Sequence, residues 1–254
     1  MSSSCKLSRA IVKELASYGV VLQSLSSSRD LGVTFTGGKH RAPALLNKRI
    51  LTSKSVNIKV SSLAKVTRRA RKLFTSGVYP QATWGHECIG FSPTQSKALR
   101  RMCANSTGVA SAGRCCTTTI FVSFGRRGGP LQRAMKETIT EWFELLLLLD
   151  TPLLIAQLNF AWAKAKTIIV DQTICKSKPK ISKVYGVITN VLYLLYLYGW
   201  VPHRYNVWSA PNGEQWSFPA TGFPFQHVIV FCFAGLHRSR PVEECLCSSL
   251  WERP

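Results

Sequence analysis

Hydrophobic residues recur at helical spacing through Asn57–Gly108, and this stretch predicts two amphipathic helices joined by a turn. On a helix spanning Ser62–Ser76, one face carries the apolar residues Leu63, Val66, Ala70, Leu73 and Phe74. The second helix begins at a capping signal, in which Ser92 is the N-cap, Pro93 is the first helical residue and Gln95 completes a capping box. Its inward face carries Ala98, Leu99, Met102 and Cys103.

Shorter patterns on both sides of this stretch predict the remaining helices and one strand. A helix is expected within Lys6–Leu22, a strand at Arg29–Thr36 and a basic helix at Lys39–Ser55. Pro130–Leu149 has the spacing of another helix, and Thr151 is placed to cap the helix that follows. The inward stripe of Pro130–Leu149 consists of Leu131, Met135, Ile139, Trp142 and Phe143.

A β-hairpin is predicted near the end of the helical part. Pro211-Asn212-Gly213 lies between the apolar segments Arg204–Ala210 and Glu214–Phe218, and Asn-Gly in this setting is a strong hairpin signal. Trp208 and Trp216 are expected to face each other across the two strands.

Val184–Val201, just before the hairpin, admits two interpretations. It carries no formal charge and follows several lysines, a pattern compatible with a membrane span. It also contains Asn190 and two glycines, and a buried helix packed on Pro130–Trp162 explains it equally well. The hairpin that follows favours the buried helix, and a membrane-associated protein remains the alternative.

Together these patterns predict a mostly α fold with minor β structure. The expected order is a basic helical bundle, a helical segment with a β-hairpin, and a short strand–loop–helix tail. We expect an N-terminal helix and linker at 1–28, the basic module at 29–108, a glycine-rich linker at 109–129, the helical segment with its hairpin at 130–219 and the tail at 220–254.

The charge of the chain indicates an anionic partner, because its 254 residues have a formal net charge of +21 at pH 7. Glu87 is the only acid between Leu31 and Lys136, a span that contains 19 Lys and Arg residues. The cations of the two amphipathic helices include Lys65, Arg68, Arg69, Arg71, Lys72, Lys97, Arg100 and Arg101. A merely solvated face usually carries acids in register for i,i+4 pairing, so the pattern favours nucleic acid as partner, ahead of a membrane surface.

Cysteine usage indicates the compartment. The nine cysteines are odd in number and scattered, and the first residues show no secretory signal. We therefore expect an intracellular protein, cytoplasmic or nuclear, whose thiols are mostly small buried hydrophobes. No cluster of residues predicts a metal site or a cofactor.

The order of elements resembles part of a known family. A strand containing Asp30-Leu31-Gly32-Val33, then basic helices, then Leu63–Glu87 (LAKVTRRARKLFTSGVYPQATWGHE) resembles the region after the palm in reverse transcriptases of non-LTR-type retroelements. The resemblance covers about residues 28–108 and extends weakly to 218. It implies a helical thumb and connection that grips RNA or an RNA–DNA template–primer by its backbone.

The polymerase site of that family has no counterpart in this chain. Two Mg²⁺ ions require clustered carboxylates, including an adjacent pair of aspartates. The aspartates here are Asp30, Asp150 and Asp171, which are widely separated. The resemblance therefore implies a palm upstream of residue 1 and a truncated or degenerate fragment that does not polymerise alone.

A second resemblance lies in the C-terminal segment His227–Arg240. An apolar strand there runs into Cys232-x-x-Gly235-x-x-Arg238-Ser239. The motif resembles the anion-binding loop of cysteine-dependent phosphatases and the Gly-x-His-Arg-Ser loop of the C-terminal domain of RNase adapter proteins. It implies a phosphate held by backbone N–H groups and by Arg238, with Cys232 as the thiolate nucleophile and Ser239 stabilising it.

Two departures limit this second resemblance. Phe231 stands where the histidine before the nucleophile is usual, and no aspartate follows Asp171 to act as general acid. Three interpretations stay open: a phosphate-binding loop without turnover, an active phosphatase, and an ordinary cysteine at the end of a strand. No catalytic residue is assigned, and we expect a binding protein rather than an enzyme.

Overall fold

The computed structural model describes residues 5–21, 27–30, 33–36, 41–110, 112–125, 128–149, 151–170 and 179–218. These residues form a mostly helical protein with minor β structure, which confirms the predicted fold class. The helices are α1 (Cys5–Ser17), α2 (Ala44–Val66), α3 (Tyr79–Thr83), α4 (His86–Ile89), α5 (Pro93–Asn105), α6 (Cys116–Phe124), α7 (Pro130–Leu147), α8 (Pro152–Ile169) and α9 (Val187–Leu197).

The strands form two small antiparallel sheets. Strand β1 (Ser27–Asp30) pairs with β2 (Val33–Thr36), where the sequence pattern predicts a single strand. The other sheet has the order β3 (Val201–Arg204), β4 (Val207–Ser209) and β5 (Gln215–Ser217).

The predicted hairpin is β4–β5, and Trp208 pairs directly with Trp216. Its turn has the expected chemistry, because Gly213 adopts a positive φ of 87° and the Glu214 N–H donates to Asn212 Oδ1 at 3.2 Å. The sequence pattern missed β3, which extends the hairpin to a three-stranded sheet.

Helix α2 is the main departure from the predicted helices. The pattern predicts one helix over Ser62–Ser76, whereas α2 ends at Val66 and Thr67 is extended (φ −135°, ψ 124°). A 3₁₀ turn (Arg68–Arg71) and a π-helical turn (Phe74–Val78) follow. In a continuous helix, Lys65, Arg68, Arg69 and Lys72 would repel at i,i+3 and i,i+4 spacing, and the break at Thr67 relieves that repulsion.

The inward face predicted for Ser62–Ser76 is wrong at three of its five positions. Ala70 and Phe74 are buried, but Leu63, Val66 and Leu73 are 45%, 86% and 45% exposed. The buried stripe of α2 instead consists of Leu46, Ile50, Ser53, Asn57, Val60 and Ala64. Asn57 belongs to this stripe because its Nδ2 donates to the Met102 carbonyl at 3.0 Å, which joins α2 to α5.

The capping signal of α5 is confirmed. Ser92 Oγ accepts from the Gln95 N–H, and Gln95 Oε1 accepts from the Ser92 N–H at 2.8 Å. The Gln95 side chain also donates to Asn47 Oδ1 and accepts from the Arg41 guanidinium, so the cap ties the start of α5 to α2. Leu99, Met102 and Cys103 are buried as predicted, and Ala98 packs against the same core.

Two hydrophobic cores organise the described residues. The first lies among α2 to α6 and includes Phe74, Tyr79 and Leu99. The second lies among α7, α8, α9 and the three-stranded sheet, and Trp142 and Trp208 are fully buried in it. The segment predicted as a linker at 109–129 contains α6, whose Ile120 is buried in the first core, so these residues belong to the helical body.

Helix α9 is part of the second core. It covers 11 residues of the apolar segment, and its Val191 and Leu192 are inaccessible to solvent. At 1.5 Å per residue α9 is about 16 Å long, roughly half the thickness of a bilayer core. In the described part of the chain, no helix is long and apolar enough to cross a membrane.

Replacing Leu192 by Asp should therefore destabilise the protein severely, because an unpaired carboxylate would be buried in the second core. We expect the free energy of unfolding to fall by about 4 kcal/mol or more. Leu197→Asp on the same helix is the matched control, since Leu197 is 49% exposed and the expected change is only about 0.5 kcal/mol. Urea unfolding measures both, and equal losses would show that α9 does not pack as described.

Candidate nucleic-acid interface

The first group of predicted cations surrounds the break after α2. Lys65 lies in the last turn of α2, Arg68, Arg69 and Arg71 form the 3₁₀ turn, and Lys72 follows it. All of them except Arg71, which is half-buried, are exposed to solvent. The turn therefore presents closely spaced cationic groups at a point where the backbone changes direction.

The second group lies on α5, and its members differ in availability. Lys97 and Arg101 are exposed, whereas Arg100 is half-buried and donates a hydrogen bond to Thr117 Oγ1 on α6. Arg100 thus holds α6 against α5 with part of its guanidinium. Lys97 and Arg101 are the α5 cations that are most open to a partner.

The backbone brings the two groups to one pair of neighbouring helices. Met102 of α5 is bonded to Asn57 of α2, and a Cβ added at Gly108 would lie 2.7 Å from the Ala64 carbonyl. Helix α5 therefore runs parallel to α2 and ends beside its last turn. Residue 108 adopts a positive φ of 74°, and this close approach to Ala64 requires glycine there.

Helix α2 adds cations that the sequence analysis did not assign to the site. Lys48, Lys54 and Lys59 are exposed along it, upstream of Lys65. The signal was present in the sequence, but the helix was predicted to end at Ser55 and its register was unknown. We call the exposed Lys48, Lys54, Lys59, Lys65, Arg68, Arg69, Lys72, Lys97 and Arg101 the cationic surface.

The cationic surface is not neutralised within the described chain. None of its members forms an ion pair there. Glu87, the one acid in the surrounding sequence, is instead occupied by His86, with Nδ1 and Oε1 3.0 Å apart. Internal pairing of this carboxylate leaves the cations to act on an external partner.

The turn between the two predicted helices contains two aromatic residues that differ in exposure, Tyr79 and Trp84. Tyr79 is 1% exposed and its hydroxyl donates to Glu137 Oε2 at 2.7 Å, so it is part of the core rather than of a surface. Trp84 is 58% exposed, and its carbonyl accepts a hydrogen bond from Arg49 of α2. An exposed indole beside a basic helix offers a flat surface on which a base can stack.

A polar seam, formed by Tyr79, His86, Glu87, Arg133, Glu137 and Asn190, lies where the two cores meet. Arg133 donates to Glu137 Oε1 at 2.8 Å, and its guanidinium lies 4.4 Å from the centre of the Tyr79 ring. Asn190 of α9 donates to the His86 and Glu87 carbonyls at 3.2 and 2.8 Å. The seam could not be predicted from the sequence, because its members come from three separate stretches of the chain.

His86 is 2% exposed and both of its ring nitrogens face acceptors. Nδ1 lies 2.9 Å from the Thr83 carbonyl and 3.0 Å from Glu87 Oε1, and Nε2 lies 3.1 Å from the Ala134 carbonyl. Burial opposes the charged ring, but Glu87, Ala134 and Glu137 together raise the pKa of His86 above its usual value. The protonated imidazolium therefore satisfies every neighbour.

The seam has groups typical of acid–base catalysis, yet its geometry is that of a structural cluster. The His86 nitrogens are both occupied by protein atoms, and Tyr79 is held by Glu137. Among the described residues, no three His, Cys, Asp or Glu side chains are placed to hold a metal ion. Cys232, Gly235, Arg238 and Ser239 of the predicted phosphate loop lie outside the described residues.

The chain matches no protein-family model, no curated protein and no solved structure. The two resemblances in the sequence therefore stay predictions. The function proposed below is based on the exposed cations of the cationic surface.

The seam predicts a pH dependence of stability with a definite sign. Because the folded pKa of His86 lies above its unfolded value of about 6.5, its stabilisation is fully present below that pH and is lost as pH rises through the folded pKa. Glu87→Gln removes the carboxylate that favours the charged ring. The difference in free energy of unfolding between wild type and Glu87→Gln should therefore be larger at about pH 6 than at about pH 8.

Urea unfolding at both pH values measures this difference, and contributions from the other histidines cancel between the two proteins. Glu144→Gln on α7 is the matched control, because Glu144 is exposed and makes no contact with His86. A difference for Glu87→Gln that is the same at both pH values would contradict a charged His86 in the folded state.

Proposed function

We propose that this protein binds nucleic acid through the cationic surface, by contacts with the sugar–phosphate backbone. The observation that carries the proposal is the density of exposed, internally unpaired cations on α2, the 3₁₀ turn and α5. Each Lys or Arg that neutralises a phosphate releases a bound counterion, which supplies most of the affinity in sequence-independent binding. The expected partner is single-stranded RNA or an RNA–DNA hybrid, with little sequence preference.

The identity of the cations supports phosphate as the target. Arg68, Arg69 and Arg101 present planar guanidinium groups, which bind phosphate oxygens in pairs and also stack on bases. Arg68 and Arg69 are adjacent on a 3₁₀ turn with three residues per turn, so they point in different directions and can contact successive phosphates.

At the level of family, we propose a thumb-like element of a retroelement reverse transcriptase. The support is the order of strand, basic helices and aromatic turn in the sequence. Asp30, Asp150 and Asp171 are widely separated in the sequence and supply no adjacent pair of aspartates, so the proposed activity is binding without nucleotide transfer.

Removing Arg68, Arg69 and Lys72 together, each to Ala, should weaken binding and flatten its salt dependence. Each cation contributes about 0.7 to 0.9 to the slope of log affinity against log salt, so the slope should fall by about two to three units. Fluorescence anisotropy with a labelled single-stranded RNA, measured over a range of KCl concentrations, gives the slope directly.

The matched control removes Lys6, Arg9 and Lys13 from α1, where all three are exposed. This variant loses the same net charge from a different helix and should keep the wild-type slope to within about one unit. If both triple variants lose the same slope, binding follows net charge alone and the cationic surface is not a site.

Trp84→Ala should lower the affinity for the same RNA by roughly tenfold. The slope of log affinity against log salt should not change, because stacking involves no counterion release. Trp84→Phe keeps an aromatic face and should recover most of the affinity. Unchanged affinity in Trp84→Ala would place the nucleic acid away from the aromatic turn.

A further inference from the structure

Helix α8 carries large apolar residues on its exposed side as well as on the side that packs against the other described residues. Its inner side packs into the second core through Trp162, Ala165 and Ile169, which are at most 5% exposed. A helix in a water-soluble body usually has a polar outer side, because a helix that is apolar all round is stable only when it is surrounded by apolar material.

The side of α8 that no described residue covers carries an apolar stripe, the α8 apolar face, which is flanked by the exposed polar residues Gln157 and Asn159. Leu153, Ala156, Phe160 and Ala163 follow at spacings of three and four residues, which places them along one side of the helix. Leu153 is 67% and Phe160 is 72% exposed. Leu147 and Leu148, at the end of α7, and Leu154, in the first turn of α8, are further exposed apolar residues near the N-terminal end of α8, with 47%, 74% and 39% exposure.

Lysines gather at the other end of this α8 apolar face. Lys164 Nζ lies 6.0 Å from the centre of the Phe160 ring, so a cation sits directly beside the face. Lys166 is in the last turn of α8. The Lys180 N–H donates to the Ile169 carbonyl at 3.4 Å, which returns the chain to the same end of the helix and brings Lys180 and Lys183 there.

Acids are almost absent from the surrounding sequence. From Leu145 to Gly213 the chain has two acids, Asp150 and Asp171, and seven Lys and Arg residues. We propose that the α8 apolar face seats this protein on the surface of a membrane that contains anionic lipids. Leucine and phenylalanine side chains would enter the boundary between headgroups and acyl chains, and the lysines would pair with lipid phosphates and carboxylates.

Charge favours a lipid surface over a second copy of the chain as the cover for this face. Two chains that each carry a formal charge of +21 repel one another, which disfavours a symmetric contact through this face. An anionic surface attracts the same lysines. An extended flexible side chain such as lysine can also lie along the apolar face and keep its ammonium group among the headgroups.

The proposal is tested with the full chain and vesicles of two compositions, after nuclease treatment to remove bound nucleic acid. One set is phosphatidylcholine alone, and the other contains roughly 30 mol % phosphatidylserine. Wild type should sediment with the anionic vesicles and stay in solution with the neutral ones. The double variant Leu153→Ser, Phe160→Ser should bind the anionic vesicles roughly tenfold more weakly or worse.

The matched control makes the same change on α2, as Leu51→Ser, Val66→Ser, where the side chains are 69% and 86% exposed. Both double variants should keep the wild-type unfolding midpoint, and the α2 variant should keep vesicle binding. The triple variant that lacks Arg68, Arg69 and Lys72 should also sediment with anionic vesicles, which separates this proposal from nucleic-acid binding.

Three results would overturn the proposal. Equal binding of the α8 double variant and wild type would show that the apolar face does not touch lipid. Equal binding of wild type to neutral and anionic vesicles would remove the role of the lysines. A wild-type dimer in sedimentation velocity that dissociates in the α8 double variant, together with no vesicle binding, would assign the face to a second copy.

Discussion

The two hydrophobic cores are joined at the four-residue helix α4, and the rest of the structure depends on how this helix is held. The His86 ring is bonded on one nitrogen to α3 and Glu87 and on the other to α7. Asn190 of α9 bonds two carbonyls of the same helix. These groups are buried and cannot bond to water. If one partner is removed, the other is left unsatisfied and destabilises the fold by its full desolvation free energy. The chain just after α4 is equally constrained, because Gly90 has a positive φ of 66° and a Cβ there would lie 2.5 Å from Asn190 Oδ1.

The pairing of His86 with Glu87 also affects the distribution of charge on the surface. Glu87 is the one acid near α2 and α5, and its bond to His86 overcomes the effect of burial and lowers the pKa of its carboxyl. The other acids of the region lie on α7, where burial and the negative charges of Glu144, Glu87 and Glu137 raise the pKa of Glu141. Among the described residues of this region, the carboxylates thus lie on α4 and α7, and none of them pairs with a member of the cationic surface. Charge separation of this kind creates a field that an anionic polymer can sense at a distance of several ångströms.

Local signals in the sequence predicted local structure well. The Ser92–Gln95 cap and the Trp208–Trp216 pair depend on residues a few positions apart, and both formed as expected. The register of α2 could not be predicted in this way, because the polar residues Ser53 and Asn57 lie in its buried stripe and Asn57 is bonded there to Met102 of α5. The seam was invisible for a similar reason: Tyr79 and Glu137 are 58 residues apart in the chain. Most cations of the proposed interface were identified from charge alone, but the sequence did not show that Arg71 and Arg100 are half-buried.

The two exposed surfaces differ in the type of cation and in what surrounds it. The turn after α2 is rich in arginine, and the nearest exposed aromatic group of the module is Trp84 in the segment between α3 and α4. The end of α8 has only lysines, and they border leucine and phenylalanine side chains. Guanidinium groups bind phosphodiesters with defined geometry, whereas flexible ammonium groups adapt to a fluid layer of headgroups. The arginines of the turn after α2, and the apolar side chains that the lysines of α8 border, are therefore the physical basis for proposing different partners for the two surfaces.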